Sequence, residues 1–583
     1  MKNTRLILIL VIFSTTIVVA QSQDWKQKIN PTLWQNAKKA KAECLIVMRE
    51  QADVSVAELL DTKLQKGIFV TNTLKQLAEK SQRKVKLTLL EAKAEFRSFY
   101  VANALWANLE SSTLEQLARL PEVAYILENP YAHLDEPKRS TDITARGQTV
   151  EWGIQKIQAD SVWALGYKGQ GAVIGGQDTG YDWTHPAIKK SYRGSINDST
   201  ANHNYNWHDA IHKVSPLSSD SLNPCGYNTK APCDDQNHGT HTMGTMAGST
   251  SEFAIGVAPS ARWIACRNME RGNGSNASYI EGFEWFLAPT DLNNKSANPS
   301  KAPHVVNNSW YCSESEGCKD SLSYLLMDNV IKNVRASGIV VVVSNGNSGP
   351  DCSTVAYPPQ FFNDSYTVGA TDIQDSIAGF SSRGPVRAGF PNAGKLRPNV
   401  SAPGVDIKSC IKGGAYDVYS GTSMAGPHVA GAVALLISAN PKLAGNVNKI
   451  EQILRETATP LTSLQSCGGV SGQTIPNNTF GYGRINVLAA VRKALVTTET
   501  KNLENTIILT VFPNPAQTEV RFQGVESGLA QILIFDIKGR LVQSTKLENI
   551  QTDTLNIDAL QNGTYFCKVI LNSSTAFTKI VKQ

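Results

Sequence analysis

The chain has 583 residues, 56 Lys and Arg against 50 Asp and Glu, and 41% apolar residues. A net charge of +6 over this length is small and gives no reason to expect a nucleic-acid partner, and the length calls for more than one domain. Ten cysteines are a disulfide-forming complement if the protein is exported.

Lys2 and Arg5 precede an apolar run from Leu6 to Val19, closed by Val18-Val19-Ala20. This reads as a secretory signal peptide over 1–20. The run is short for a bilayer anchor, which needs roughly 20 apolar residues. Residues 21–148 read as a separate unit with its linker. Glu43–Met48 is a first strand, and Leu59 to Ala94 carries helical spacing. Phe96–Leu109 is one long strand or a hairpin, Ser112–Leu120 a short helix stopped by Pro121, and Val123–Glu128 a last strand. The order β-α-β-β-α-β suits a small ferredoxin-like sandwich. Asp135 to Gln148 is polar and reads as a cleavable linker.

The next apolar strand, Gly171–Gln177, ends in Asp178-Thr179-Gly180. Reactive groups of open α/β sheets gather at such strand ends, although Asp-Thr-Gly is also an ordinary turn. His238-Gly239-Thr240-His241 opens a helix rich in small residues. Two histidines three apart can also read as a metal pair, but the usual helical pair is spaced by four with a carboxylate base. We therefore read His238 as a base and assign no metal ligand. Val340–Val343 is a strand apolar on both faces, ending in Ser344-Asn345-Gly346-Asn347. Asn347 can donate an N–H to an oxyanion, with Asn345 as the rival. Gly421-Thr422-Ser423 stands before an apolar run, Val429–Ile437, that reads as a buried helix. A serine hydroxyl becomes a useful nucleophile only with a base and an oxyanion donor, and the preceding motifs supply both.

Asp-Thr-Gly, His-Gly-Thr-His, Gly-Asn-Ser-Gly and Gly-Thr-Ser-Met-Ala-Gly-Pro-His-Val-Ala-Gly, in this order, resemble the subtilisin-like serine proteases. The resemblance covers about 150–497. Asp182-Trp183-Thr184-His185-Pro186, the Trp285–Asp291 stretch and Asn307–Trp310 are similar to the bacillopeptidase F-like branch. It implies a mostly parallel sheet flanked by helices over 149–497, preceded by an α+β inhibitory propeptide. By position it implies Ser423 as nucleophile, His238 as base, Asp178 as its orienting partner and Asn347 as oxyanion donor. Ser309, Trp310 and Tyr311 match the strand that pairs with an extended substrate. Ala356 matches the wall of a pocket shared with Ser344 and Gly346, suited to a bulky apolar residue before the scissile bond. The chemistry implies no cofactor. Family members often hold structural calcium, but no contiguous calcium loop is present and no ligands are assigned. The implied partners are protein or peptide substrates and the chain's own propeptide. The other class to weigh is a catalytically inactive surface binding protein on the same scaffold. Gly175-Gly176-Gln177 departs from the bulkier residues usual before the aspartate.

The loop between Asp178 and His238 carries His203, His208, Asp209 and His212, which reads as a surface loop ahead of a zinc site. Cys225 with Cys233 and Cys312 with Cys318 are the local disulfide candidates, and Cys266, Cys352, Cys410 and Cys467 stay unpaired on sequence alone. After a linker at 498–509, residues 510–583 alternate into short strands. Pro513-Asn514-Pro515, Gly563-Thr564-Tyr565-Phe566 and the terminal Lys-rich strand resemble the type IX secretion sorting domain. That implies a secreted or cell-surface protein and an outer-membrane secretion machinery as partner.

Overall fold

The computed structural model describes residues 24–140, 149–197, 199–496, 509–524, 527–537, 539–571 and 574–583. The signal-peptide reading and most of the 498–509 linker lie outside these residues, as does the second half of the linker expected over 135–148. Contacts divide the chain into two units, residues 1–51 with 77–129, and residues 52–76 with 130–583.

In the first unit the strands Phe96–Phe99, Ala104–Leu109, Ala42–Met48 and Val123–Glu128 lie side by side in that order. All three pairings are antiparallel. The expected β-α-β-β-α-β sandwich is therefore built, with Phe96–Leu109 resolved as a hairpin. Its one-sided core explains the pattern. Cys44, Ile46 and Met48 from the central strand meet Val85 and Leu89 of helix Arg83–Glu91 and Leu114, Leu117 and Ala118 of helix Ser111–Arg119. These helix positions recur at the three- and four-residue spacing that places them on one face.

The second unit holds a seven-stranded sheet. Its order is Val400–Pro403, Tyr366–Thr371, Val340–Ser344, Val305–Asn308, Val173–Asp178, Arg262–Arg267 and Trp207–Asp209. Every pairing is parallel, so the expected architecture stands. Helices cover it, and the strands accordingly read as unbroken apolar runs such as Val340–Val343, all fully buried. Helix Thr422–Ala439 packs onto this sheet. It is long and apolar enough to cross a membrane, but it is a core helix, buried along nearly its whole length.

The two glycines that departed from the family pattern have a packing reason. A Cβ on Gly175 would lie 2.8 Å from the Phe286 ring, and one on Gly176 would lie 2.5 Å from the Tyr181 hydroxyl. Large rings come down directly on the strand there, so only glycine fits. Gln177 bonds across to Asn308 on the neighbouring strand.

Residues 510–583 form two antiparallel sheets, Thr510–Phe512, Glu519–Gln523 and Leu555–Asn556 in one, and Leu541–Leu547, Ala530–Asp536, Gly563–Leu571 and Ser574–Lys582 in the other. Alternate residues, among them Ile532, Ile534, Cys567 and Val569, fill the core. The small all-β tail is thus as the sequence implied.

Three disulfides form. Cys225–Cys233 and Cys312–Cys318 are the two expected local pairs, and Cys352–Cys467 is the pair that spacing could not give. Cys352–Cys467 closes a long loop, spanning 115 residues of sequence, which in a chain-entropy account is worth about 4–5 kcal/mol. Cys44, Cys266, Cys410 and Cys567 are free and buried.

Candidate active site

Asp178 ends a central strand of the parallel sheet, and His238 opens helix His238–Ala247. The helix can approach the strand end because Gly239 has no side chain: a Cβ there would collide with the Gly180 carbonyl. Asp234, which sequence reasoning did not single out, fixes the helix start. Its carboxylate accepts from Thr179 Oγ1 at 2.9 Å, Thr240 N–H at 3.0 Å and Thr240 Oγ1 at 2.6 Å. A carboxylate at a helix N-terminus is favoured by the exposed amides and the dipole.

The result is a buried hydrogen-bonded pair. His238 Nδ1 lies 2.8 and 2.9 Å from the two Asp178 oxygens, and Asp178 Oδ1 also accepts the Thr179 N–H at 2.7 Å. With Nδ1 committed as donor to the carboxylate, the ring keeps its lone pair on Nε2. That atom is buried and bonded to nothing. Ser423 stands in the first turn of helix Thr422–Ala439 and is nearly buried. Its Oγ leans 3.4 Å towards the Ser309 carbonyl.

Asn347 follows the strand Val340–Ser344. Its Oδ1 accepts both the backbone N–H of Thr422, at 2.9 Å, and the Thr422 hydroxyl, at 2.8 Å. Two donors on one side fix which amide atom is oxygen, and so turn the NH2 group outwards. Its Nδ2 donates to Asp135 Oδ2 at 3.0 Å. The rival, Asn345, is fully buried and donates to the Ser382 carbonyl at 2.7 Å, which removes it as the free donor.

An extended stretch of the same unit runs past these groups. Tyr131–His133 pairs antiparallel with Asn273–Ser275, and the Leu134 N–H donates to the Gly272 carbonyl at 2.7 Å. Further on, Lys138 and Arg139 pair with Ser420 and Tyr419. Between them, Asp135 sits at Asn347 and beside Tyr311. Burial, and then Asp135, push the Tyr311 hydroxyl well above its usual range, so it stays a donor. A cavity of 470 Å³ lies alongside, bounded by Glu136, Lys138, Asn347, Phe380 and Ser420.

The extended segment pairs with Asn273–Ser275, and the residues matched to substrate binding, Ser309, Trp310, Tyr311 and Ala356, lie as follows. Trp310 stacks on Tyr279 at 3.7 Å between ring centres, and Tyr311 stacks on Tyr357 at 5.3 Å. These stacks anchor 309–311 as a wall. Ser309 is buried and its Oγ donates to the Ser423 carbonyl at 3.2 Å. Ala356 is buried next to the Val355–Val386 bridge. Asp135, whose carboxylate meets Asn347, is acidic.

The second histidine of His-Gly-Thr-His is a packed core residue. His241 stacks on Tyr419 at 4.4 Å, and burial lowers its pKa to about 3, so it is neutral. The other histidines are also engaged. His208 and His212 each reach Glu281, at 2.9 and 3.0 Å, and His203 meets the Tyr192 hydroxyl at 2.9 Å. Burial alone would raise the Glu281 pKa, but His212 and His208 hold it below the usual carboxylate range. Asp209 is taken by Arg267, a fully buried guanidinium that grips both its oxygens at 2.9 and 2.8 Å. Among the described residues no group of three or more His, Cys, Asp or Glu is arranged to hold a metal ion.

Comparison with known proteins places the chain in a family. The profile of the subtilase family matches residues 169–483, more than half of the chain, and that of the secretion system C-terminal sorting domain matches residues 510–583. Bacillopeptidase F of Bacillus subtilis (strain 168) is 35% identical over 452 residues, covering 74% of this chain and 29% of that protein. The chain therefore spans less than a third of the length of that relative. Subtilisin E of the same organism is 30% identical over 402 residues, covering 68% of this chain and 82% of its own. An alkaline protease of Shouchella clausii is 28% identical over 458 residues, covering 78% and 93%.

Proposed function

The chain belongs to the subtilase family of serine-type endopeptidases, and on that premise we propose that it hydrolyses peptide bonds through Ser423, His238 and Asp178, with Asn347 as an oxyanion donor. His238 Nε2 takes the Ser423 proton as Oγ adds to the scissile carbonyl carbon. The carbonyl oxygen becomes an oxyanion facing the Asn347 NH2 and the Ser423 backbone N–H. His238, now imidazolium, is stabilised by Asp178 and returns the proton to the leaving amine. Water repeats the sequence on the acyl-enzyme. The observation that carries the reading is the His238 ring, with Nδ1 tied to a buried carboxylate and Nε2 buried without a partner. The Ser423–His238 bond is not closed, and a rotation of the Ser423 side chain is the step required before reaction; catalytic hydrogen bonds commonly tighten only with substrate in place.

The segment Tyr131–Arg139 is then a pseudo-substrate. The hydrogen bond between the Asp135 carboxylate and Asn347 puts this residue at the oxyanion donor and supports Asp135–Glu136 as the bond offered. This supports a precursor in which residues 21–148 are propeptide and linker, first cut within that linker by its own Ser423. The peptidase domain spans 149–497, 498–509 is a linker, and 510–583 directs export to the cell surface or medium, in keeping with the sorting-domain match. Its partners are protein or peptide substrates, its propeptide and the outer-membrane secretion machinery. The chemistry asks for no cofactor.

The test is Ser423→Ala in the purified full-length chain, with no other protease present. It should remain a single precursor while the parent chain cuts itself, and a fluorophosphonate probe should label the parent at Ser423 only. Equal processing of both chains, without labelling, would instead favour an inactive binding protein on the subtilase scaffold.

A further inference from the structure

The extended segment has two edges. One is laddered to Asn273–Ser275. The other meets the small loop closed by Cys312–Cys318. There the backbone N–H of His133 donates to Glu316 Oε1 at 2.7 Å. A side-chain carboxylate thus serves where a neighbouring strand would present a carbonyl. Its other oxygen is occupied inside the loop, accepting the Ser313 N–H at 2.8 Å and the Ser313 hydroxyl at 2.6 Å. The carboxylate is therefore held in one pose, one oxygen for the loop and one for the segment.

One residue earlier, Ala132 is fully buried, and the side chains that enclose it as a cluster are Cys312 and Cys318. A disulfide cannot swing aside as a leucine or methionine can. The loop is anchored further by the Cys312 N–H on the Pro358 carbonyl, at 3.2 Å, and by the Tyr324 hydroxyl on the Cys318 carbonyl, at 2.6 Å. Opposite, a Cβ on Gly317 would lie 3.0 Å from Pro130 Cβ, so the loop lies flat against the segment. Ala132 is fully buried against that disulfide, so a larger side chain there must displace either the loop or the segment.

We propose that the Cys312–Cys318 loop is a substrate clamp with two requirements. It selects alanine or glycine three residues before the one that meets Asn347, and it needs a backbone N–H on the residue that follows. This rests on the peptidase reading above. Substrates with Leu, Phe or another large side chain at the first position, or proline at the second, are disfavoured. Proline lacks the N–H that Glu316 binds.

The full-length chain tests this through its own processing. Ala132→Leu should slow the first cut at least tenfold, Ala132→Gly should leave it within about twofold, and His133→Pro should slow it at least tenfold. Adding Cys312→Ala and Cys318→Ala to Ala132→Leu should restore the rate, whereas Cys225→Ala with Cys233→Ala should not. As a second measurement that leaves the protein unaltered, the self-processed protein is given Tyr-Ala-His-Leu-Asp-Glu-Pro-Lys and its Leu-for-Ala counterpart. kcat/KM should favour the alanine peptide at least tenfold. If Ser423→Ala is cut as fast as the parent, the peptidase reading fails. If the parent cuts itself but Ala132→Leu keeps pace and both peptides are cleaved alike, the clamp alone is overturned.

Discussion

Asp178→Asn asks how much of the reaction depends on one buried charge. The side chain is nearly inaccessible, His238 is fully buried, and their contact is 2.8 Å. During acylation the ring carries a positive charge, and the variant has no negative charge to face it. Two unit charges about 4 Å apart, counting from the centres of their delocalised groups, interact by about 4 kcal/mol at an effective dielectric of about 20. At about 1.4 kcal/mol per decade this is roughly a 10³-fold loss in kcat. The amide adds a second penalty. Thr179 N–H keeps the amide oxygen on its own side, so the NH2 group falls beside Nδ1 and opposes the proton held there. The combined loss should be about 10³–10⁴, in line with the tautomer effect in an unrelated serine protease. The assay is steady-state cleavage of a chromogenic peptide, after trace parent enzyme has processed the variant and been removed. KM should change little, because Asp178 touches no substrate atom. A loss below tenfold would refute the reasoning, since it would mean that the imidazolium never forms or finds another carboxylate.

Asn347→Leu should lower kcat by about 10²–10³ with little change in KM, a size known from the family and not worked out from this chain; an unchanged kcat in steady-state assays would make Asn347 a turn residue only. Glu151 is buried, and burial pushes its carboxyl up to about 8 from an ordinary 4.5. A pKa raised by folding contributes stability that is complete below pH 4.5 and lost as the pH rises through 8, on the order of 3–5 kcal/mol. In the Ser423→Ala background, Glu151→Gln should flatten that decline in denaturation midpoints across pH 5–9, and parallel curves would reject it. Peptide mapping without reduction should find Cys225–Cys233, Cys312–Cys318 and Cys352–Cys467, with Cys44, Cys266, Cys410 and Cys567 alkylated only after denaturation; rapid labelling of any of these four in the native protein would contradict their burial. Deleting residues 510–583 should leave a folded, active peptidase that is no longer exported; loss of activity in the purified truncation would make the tail part of the catalytic fold.

What the sequence made legible was whatever local chemistry determines. Val340–Val343 had to be a doubly covered strand because no polar residue interrupts it, and the short cysteine spacings could close without help from the fold. Asp178, His238 and Ser423 stood out for another reason. Each sits at the end of a strand or the start of a helix, where the local residue pattern signals both the turn and the chemistry. Pairings set by distant packing were not legible. Cys352 and Cys467 are brought together by the whole domain between them. Glu281 gives no local sign that it will collect His208 and His212, or Arg267 that it will be buried against Asp209.

The pairing strand shows the limit most clearly. Asn273-Gly274-Ser275 has no alternation and too few apolar residues to read as a strand. It pairs with Met269–Glu270 on one side and Tyr131–His133 on the other. Under the proposed function the second of these ladders must release its partner, and such a ladder cannot be glued by large cross-strand side chains, so its sequence would lack the pattern that such pairs leave behind. Binding strength then comes from backbone bonds that any peptide can make, and discrimination from the few rigid features beside them. In the clamp proposed above those features are a carboxylate held by Ser313 and a disulfide packed on Ala132; the disulfide could be read from its spacing, but what it and Glu316 lie against could not.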